Sequence, residues 1–236
     1  MTGFLYPFLD AEERDQDALL RDLAASAAAK AVESAALRES TVDANRELIA
    51  AAAAEMARRF AAGGRLFAFG NGGSSTDVAT LVALFARPPV GEPLPAWSLA
   101  ADQAVLTALG NDVGFDLVFA RQLIARAGPG DIAVAMSTSG SSRDLMAGFR
   151  EARARGMYTV GFAGYDGGEF TASSDVDVCF TVRSQSVHRI PEAQALVGYA
   201  LWIAVGDHLK REGAVTLPTT ITAPVPAAPP AEERSS

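Results

Sequence analysis

The sequence predicts an α/β fold: a three-layer α/β/α sandwich around a parallel sheet, preceded by two N-terminal helices. Three observations carry that prediction. Residues 9–62 are rich in Ala, Leu, Glu and Arg and hold neither Pro nor Gly, so strong helix formers dominate them. From Gly63 onward, short apolar runs alternate with helical stretches, as expected of strands buried on both faces and joined by crossover helices. Turns rich in glycine and serine follow two of those runs, and such sheets bind ligands beyond the carboxyl ends of their strands.

Taken in chain order, Leu19, Leu20, Leu23, Ala27, Ala31 and Leu37 fit one face of a first long amphipathic helix. Ser40-Thr41-Val42-Asp43 reads as a break with an N-cap. A second helix follows over about residues 42–61, with Leu48, Ile49, Ala52, Met56 and Phe60 on one face, and Gly63-Gly64 ends it. Residues 65–69 form a short apolar strand, 70–75 a turn and 76–85 a helix. Residues 87–95 hold four prolines and form a loop. Residues 96–100 read as a strand, and 110–114 as a turn between two helical stretches. Gly128-Pro129-Gly130-Asp131 leads into a strand over 132–136. A helix over 143–155, strands over 158–162 and 176–181, and a long helix over about 189–211 complete the pattern. The apolar positions of that last helix are Leu196, Leu201, Trp202, Val205 and Leu209. Residues 218–236 contain five prolines and no aromatics, the composition of a disordered tail.

At 236 residues and 49% hydrophobic, the chain builds one core of ordinary size. Its net charge of −8 argues against a broad surface for nucleic acid or an anionic membrane. A local anion pocket made of N–H and hydroxyl groups remains compatible with it. The single cysteine, Cys179, forms no internal disulfide, and one Cys with two His does not make a structural zinc site. The first residues lack the basic start of a signal peptide and no membrane span is read, so the expected location is the cytoplasm.

Ser137-Thr138-Ser139-Gly140-Ser141-Ser142 sits between an apolar run and a helical pattern. A strand, a hydroxyl-rich turn and a helix N-terminus in that order make an anion site. Hydroxyls donate, the first helical N–H groups lack intrahelical partners, and the positive end of the helix dipole favours a phosphate. Gly70-Asn71-Gly72-Gly73-Ser74-Ser75 has the same placement after a strand. Its glycines allow a ligand to approach the backbone, and Asn71 is suited to a sugar hydroxyl. It matches neither a P-loop nor Gly-x-Gly-x-x-Gly. Two such turns at strand ends can converge on one ligand.

These two turns, together with Gly110-Asn111-Asp112-Val113-Gly114-Phe115, resemble those of SIS (sugar isomerase) domains, which have a flavodoxin-like fold. They are most similar to phosphoheptose isomerases, which convert sedoheptulose 7-phosphate to a heptose phosphate. Gly164-Tyr165-Asp166-Gly167-Gly168 and Arg189-Ile190-Pro191-Glu192 extend the resemblance. It implies a phosphorylated sugar as partner, with Ser137, Thr138, Ser139 and Ser142 on the phosphate and Asn71, Gly72, Gly73 and Ser74 along the sugar chain. It implies Asp112 on sugar hydroxyls or in a neighbouring subunit's site, and a homodimer or homotetramer. The residues alone also allow Ser142 as a plain first-turn residue and Asp112 as an Asx-turn former. On this reading the chain divides into N-terminal helices 1–62 that pack on the core and form oligomer contacts, a SIS domain 63–213 and a Pro/Ala-rich tail 214–236.

The same resemblance implies a His and a Glu on the helix after the glycine turn, and a Gln and a His along the last helix, which bind zinc and carry the proton. An aldose–ketose isomerase needs such a base, and a group that stabilises the enediolate oxygen. At those positions this chain has Thr80, Ala83, Pro191 and Tyr199, with His188 where an Asp precedes the Arg. None of the four is a good zinc ligand, so no metal and no cofactor is expected. Three readings stay open. One is a sugar-phosphate-binding protein without zinc chemistry. Another is an isomerase using His188 and Glu192, one helical turn apart, as substitute acid and base. The third is a regulatory or protein-interaction module. Tyr199 is either core or a wall of the sugar pocket.

Overall fold

Strong helix formers carry the chain through two helices, α1 (Gln16–Ala44) and α2 (Arg46–Ala61). The computed structural model describes residues 16–211 and Gly213, so the expectations for 9–15 and for the tail lie outside the described residues. The break falls at Asn45 rather than over residues 40–43. Thr41 is buried within α1, and the Asn45 side-chain amide donates to Thr41 O at 2.8 Å, competing with the helical ladder.

A helix of 29 residues is about 43 Å long, more than one sheet can cover. Only the C-terminal part of α1 rests on the domain, through Ser34, Leu37, Thr41 and Val42. Leu19, Leu20 and Leu23 are 42%, 62% and 57% exposed, so the expected apolar face of α1 is not buried in this chain's core. Leu48 of α2 is exposed too, while Ile49, Ala52, Met56 and Phe60 are buried as their spacing predicts.

Five parallel strands form the sheet: β1 (Leu66–Gly70), β2 (Ala96–Ser98), β3 (Ile132–Met136), β4 (Tyr158–Gly164) and β5 (Val178–Val182), in the order β2-β1-β3-β4-β5. Between them run α3 (Gly73–Ala86), α4 (Gln103–Asp112), a 3-10 turn (Phe115–Leu117), α5 (Val118–Arg126), α6 (Arg143–Ala154) and α7 (Gly168–Ala172). The long helix α8 (Arg189–Arg211) follows β5. Several boundaries differ from expectation: β2 ends at Ser98, β4 runs on to Gly164, and α7 is unexpected. α3 starts inside the glycine turn, and residues 110–112 finish α4, which leaves a turn at Val113-Gly114. β5 starts late because the Asp177 carboxylate accepts from Thr159 N at 2.9 Å and Thr159 Oγ1 at 3.0 Å, occupying that backbone donor.

β1, β3 and β4 are buried along their whole length because helices cover both faces. Phe60, Leu81, Phe85, Val197 and Leu201 of α2, α3 and α8 pack with Leu66, Ala68, Val134 and Phe162. On the opposite face, α5, α6 and α7 pack with Phe67, Phe69 and Ala135. There Phe69 meets Phe119 at 5.2 Å and Phe149 at 5.6 Å. At the base of the sheet, Asp131 is buried and accepts from Arg65 N at 2.8 Å and Gly128 N at 2.9 Å. Among the described residues no helix is long and apolar enough to cross a membrane.

Burial pushes the Cys179 thiol of β5 up to about 11, with the Thr181 hydroxyl opposing the shift. The thiolate fraction at pH 8 is then about one in a thousand. Native protein should react with a disulfide reagent at pH 8 more than tenfold slower than the same protein in urea. Equal rates would show the thiol to be open and unshifted.

Candidate functional site

β1 and β3 are neighbours, with Gly70 opposite Met136, yet β2 follows β1 on its other side. The chain leaving β1 enters α3 on one face, and the chain leaving β3 enters α6 on the other. A cleft opens at this switch point beyond the carboxyl ends of the strands. It holds a cavity of about 300 Å³ lined by Asn71, Ser74, Ser137, Thr138, Ser139, Ser142, Tyr165 and Val187, among others. The six of these that the sequence singled out come together here.

Local bonding sets the shape of the serine turn. Ser137 N donates to Phe162 O at 2.9 Å, and the buried Ser137 Oγ accepts from Gly140 N at 3.0 Å. Gly164 N donates to Thr138 O at 3.0 Å. Gly140 has φ +66, and a Cβ there would stand 2.2 Å from Gly167 O. Ser142 is the N-cap residue of α6, but its hydroxyl makes no capping bond and faces the cavity. The first-turn N–H groups of α6 have no intrahelical partner.

Sequence reasoning missed four contributors. Gln194 of α8 is fully buried and donates from Nε2 to Ser137 O at 2.9 Å, while its Oε1 has no partner among the described residues. Its signal was an amide set between Ala193 and Val197 on the apolar side of α8. Asp144, also buried, accepts from Asn71 Nδ2 at 2.8 Å. That bond spends a donor of Asn71 and leaves its Oδ1 to accept from a ligand hydroxyl. Tyr165 lines the cavity with a left-handed backbone, φ +55, and Val187 forms the far wall. Strained conformations of this kind concentrate at ligand sites.

Other expected residues lie elsewhere. Gly72 and Gly73 form the exposed start of α3. Asp112 ends α4, is exposed and accepts from Asn111 Nδ2 at 2.8 Å, so it does not join the cavity within one chain. His188 and Glu192 do share a space, as their spacing predicts, but it is a separate one beside α1. There Glu192 accepts from the Ser34 hydroxyl.

Thr80 bonds back to Thr76 O at 3.1 Å, and Ala83 and Pro191 are half-buried. Tyr199 is 45% exposed, tilted against Trp202 at 5.4 Å in a groove with Val90. A hydroxyl, a methyl, a proline ring and a phenol do not fit zinc, which takes thiolate, imidazole or carboxylate ligands. No group of three or more His, Cys, Asp or Glu side chains able to hold a metal occurs among the described residues. Burial pushes the pKa of Asp77, the one carboxylate of α3, above the ordinary carboxylate value.

The SIS domain family matches residues 31–164, more than half of the chain. The chain belongs to the SIS domain family. It is 42% identical over 183 residues to a phosphoheptose isomerase of Solidesulfovibrio magneticus, covering 75% of this chain and 86% of that one. A phosphoheptose isomerase of Roseiflexus is 40% identical over 169 residues, covering 70% of this chain and 84% of that one. Among solved structures, the phosphoheptose isomerase of Neisseria gonorrhoeae superposes with a TM-score of 0.71 at 31% identity, covering 78% of this chain and 99% of that one.

Gly140 closes the turn that builds the cavity. Gly140→Ala should cost about 1–3 kcal/mol, because the added methyl meets the Gly167 carbonyl and the positive φ disfavours a side chain. Urea denaturation checks this. An unchanged midpoint would mean that the turn opens freely.

Proposed function

We propose that this SIS protein binds a phosphorylated sugar of the heptose phosphate type at the serine turn, without zinc-dependent isomerisation. The observation that carries the reading is the cavity between β1 and β3, where Asn71, Ser74, Ser137, Ser139 and Ser142 face one space. A phosphate there meets hydroxyl donors and the N-terminus of α6. Asn71 and Ser74 follow along the sugar chain, and Tyr165 and Val187 bound it. The relatives named phosphoheptose isomerase, at 42% and 40% identity, support this ligand class.

Moving a proton between adjacent carbons takes a base beside them. Beyond the glycine turn, α3 carries Thr80 and Ala83, neither of which accepts a proton at neutral pH, and its one carboxylate, Asp77, is not among the residues that line the cavity. His188 and Glu192 stand outside the cavity, past Val187. The ligand is held there and not converted. The exposed Leu19, Leu20 and Leu23 of α1 support assembly as a homodimer or homotetramer, in which Asp112 reaches a neighbour's site.

Calorimetry should detect sedoheptulose 7-phosphate binding, and Ser139→Ala with Ser142→Ala should weaken it about tenfold or more, as loss of bonds to a charged group does. Equal affinity in the double variant would place the phosphate elsewhere. Turnover of sedoheptulose 7-phosphate should be absent with and without added zinc. Zinc-stimulated turnover would overturn the non-isomerase part of the reading and leave the binding part standing.

A further inference from the structure

One cluster of ionisable side chains has no part in the serine-turn cavity. Lys30, Ser34 and Arg38 of α1 face Ser186, His188 and Arg189 around a second cavity of about 490 Å³. We propose that this cavity is a separate anion site that takes a phosphoryl group.

Charge carries the first step. In a chain with 28 acidic and 20 basic residues, three cationic side chains gather in one cavity. Two carboxylates stand against them. Glu33 pairs with Arg189 at the rim, and Glu192 accepts from the Ser34 hydroxyl inside. Both carboxylates are engaged, and three cations against two leave a net positive charge. Lys30 and Arg38 reach in from α1, while His188, Ser34 and Ser186 add polar groups that can donate to phosphate oxygens. The positive end of the α8 dipole lies in the same wall, since Arg189 is both the first residue of the helix and part of the lining.

Position carries the second step. Val187 lines the serine-turn cavity, and its chain neighbours Ser186 and His188 line this one. The chain at residues 186–188 therefore borders both spaces. A sugar with phosphoryl groups at both ends can place one on each side, and a free phosphate can occupy the cationic cavity alone. The site stands without the serine turn; only the bisphosphate arm rests on the proposed sugar-phosphate reading.

Calorimetry at low salt tests it with three probes: sedoheptulose 7-phosphate, sedoheptulose 1,7-bisphosphate and inorganic phosphate. If the second phosphoryl group belongs to the sugar, the bisphosphate should bind about tenfold tighter than the monophosphate. Lys30→Ala with Arg38→Ala should erase that ratio, weakening the bisphosphate about tenfold and the monophosphate far less. If the anion is free, inorganic phosphate should bind protein carrying Ser139→Ala and Ser142→Ala, and lose that binding when Lys30→Ala and Arg38→Ala are added. Glu192→Gln keeps an acceptor for Ser34 and removes a charge, so it should strengthen the responding probe severalfold, a sign that misfolding does not imitate. Bisphosphate and phosphate binding both unchanged in Lys30→Ala/Arg38→Ala would overturn the proposal. Phosphate bound at Lys30 and Arg38 with no monophosphate binding would overturn the sugar-phosphate reading instead.

Discussion

The parallel pairing of β1 with β3 is the constraint from which the site follows. Gly70 and Met136 end these strands side by side, so the glycine and serine turns begin at one level and diverge to opposite helical layers. Their separation creates the cleft, and neighbouring layers hold it in shape. From α8, Gln194 satisfies the Ser137 carbonyl, and from β4 the Gly164 N–H satisfies that of Thr138. Asp144 ties the glycine turn to α6 through Asn71. Each contact fixes a backbone carbonyl or the Asn71 amide, so the path of the serine turn and the orientation of Asn71 are set before a ligand arrives. The buried, unpartnered Oε1 of Gln194 is the cost of that arrangement, on the order of 1–3 kcal/mol. A hydrophobic residue there would avoid the cost and leave the Ser137 carbonyl unpaired.

Much of this was legible in the sequence because the governing signals are local. An apolar run followed by glycines or serines and then a helical pattern specifies strand, turn and helix N-terminus in order, and residues 66–75 and 132–142 behaved accordingly. What escaped depends on contacts distant in sequence. The α1–α2 break moved to Asn45 because its amide competes for the carbonyl of Thr41, now buried against the domain. Leu19, Leu20 and Leu23 have helical spacing, but spacing cannot say that α1 outruns the sheet beneath it. Gln194 and Asp144 looked like ordinary polar residues, and only the fold brings them under the two turns. For His188 and Glu192, periodicity correctly placed both on one face but carried no information about which cavity that face borders.

Binding and proton transfer make different demands on this scaffold. On the proposed reading, the phosphate end is served by groups belonging to the turn itself, many of them backbone, which tolerate change in the surrounding helices. The proton transfer that the family resemblance implies would depend on individual side chains farther along α3 and α8, each replaceable without disturbing the sheet. Thr80, Ala83, Pro191 and Tyr199 fit that asymmetry, since none disrupts the packing of its helix. Tyr199 even contributes apolar surface beside Trp202. On the proposed reading, a site of this kind keeps the groups that hold a phosphate while the side chains next to them are exchanged.

The two cavities on either side of Val187 differ in how they attract an anion, and the difference matters for a chain of net charge −8. The serine-turn cavity has no Lys or Arg in its lining. It relies on hydroxyls and a helix end, short-range donors that act only on a group already in contact. The neighbouring cavity carries Lys30, Arg38 and Arg189, whose attraction extends over a Debye length, about 8 Å at physiological salt. Because the overall field repels anions, a local cationic patch raises their concentration where the short-range donors then select among them. On the two proposals together, capture would be sensitive to salt through α1 and α8, while recognition of the phosphate would stay with the geometry of the serine turn.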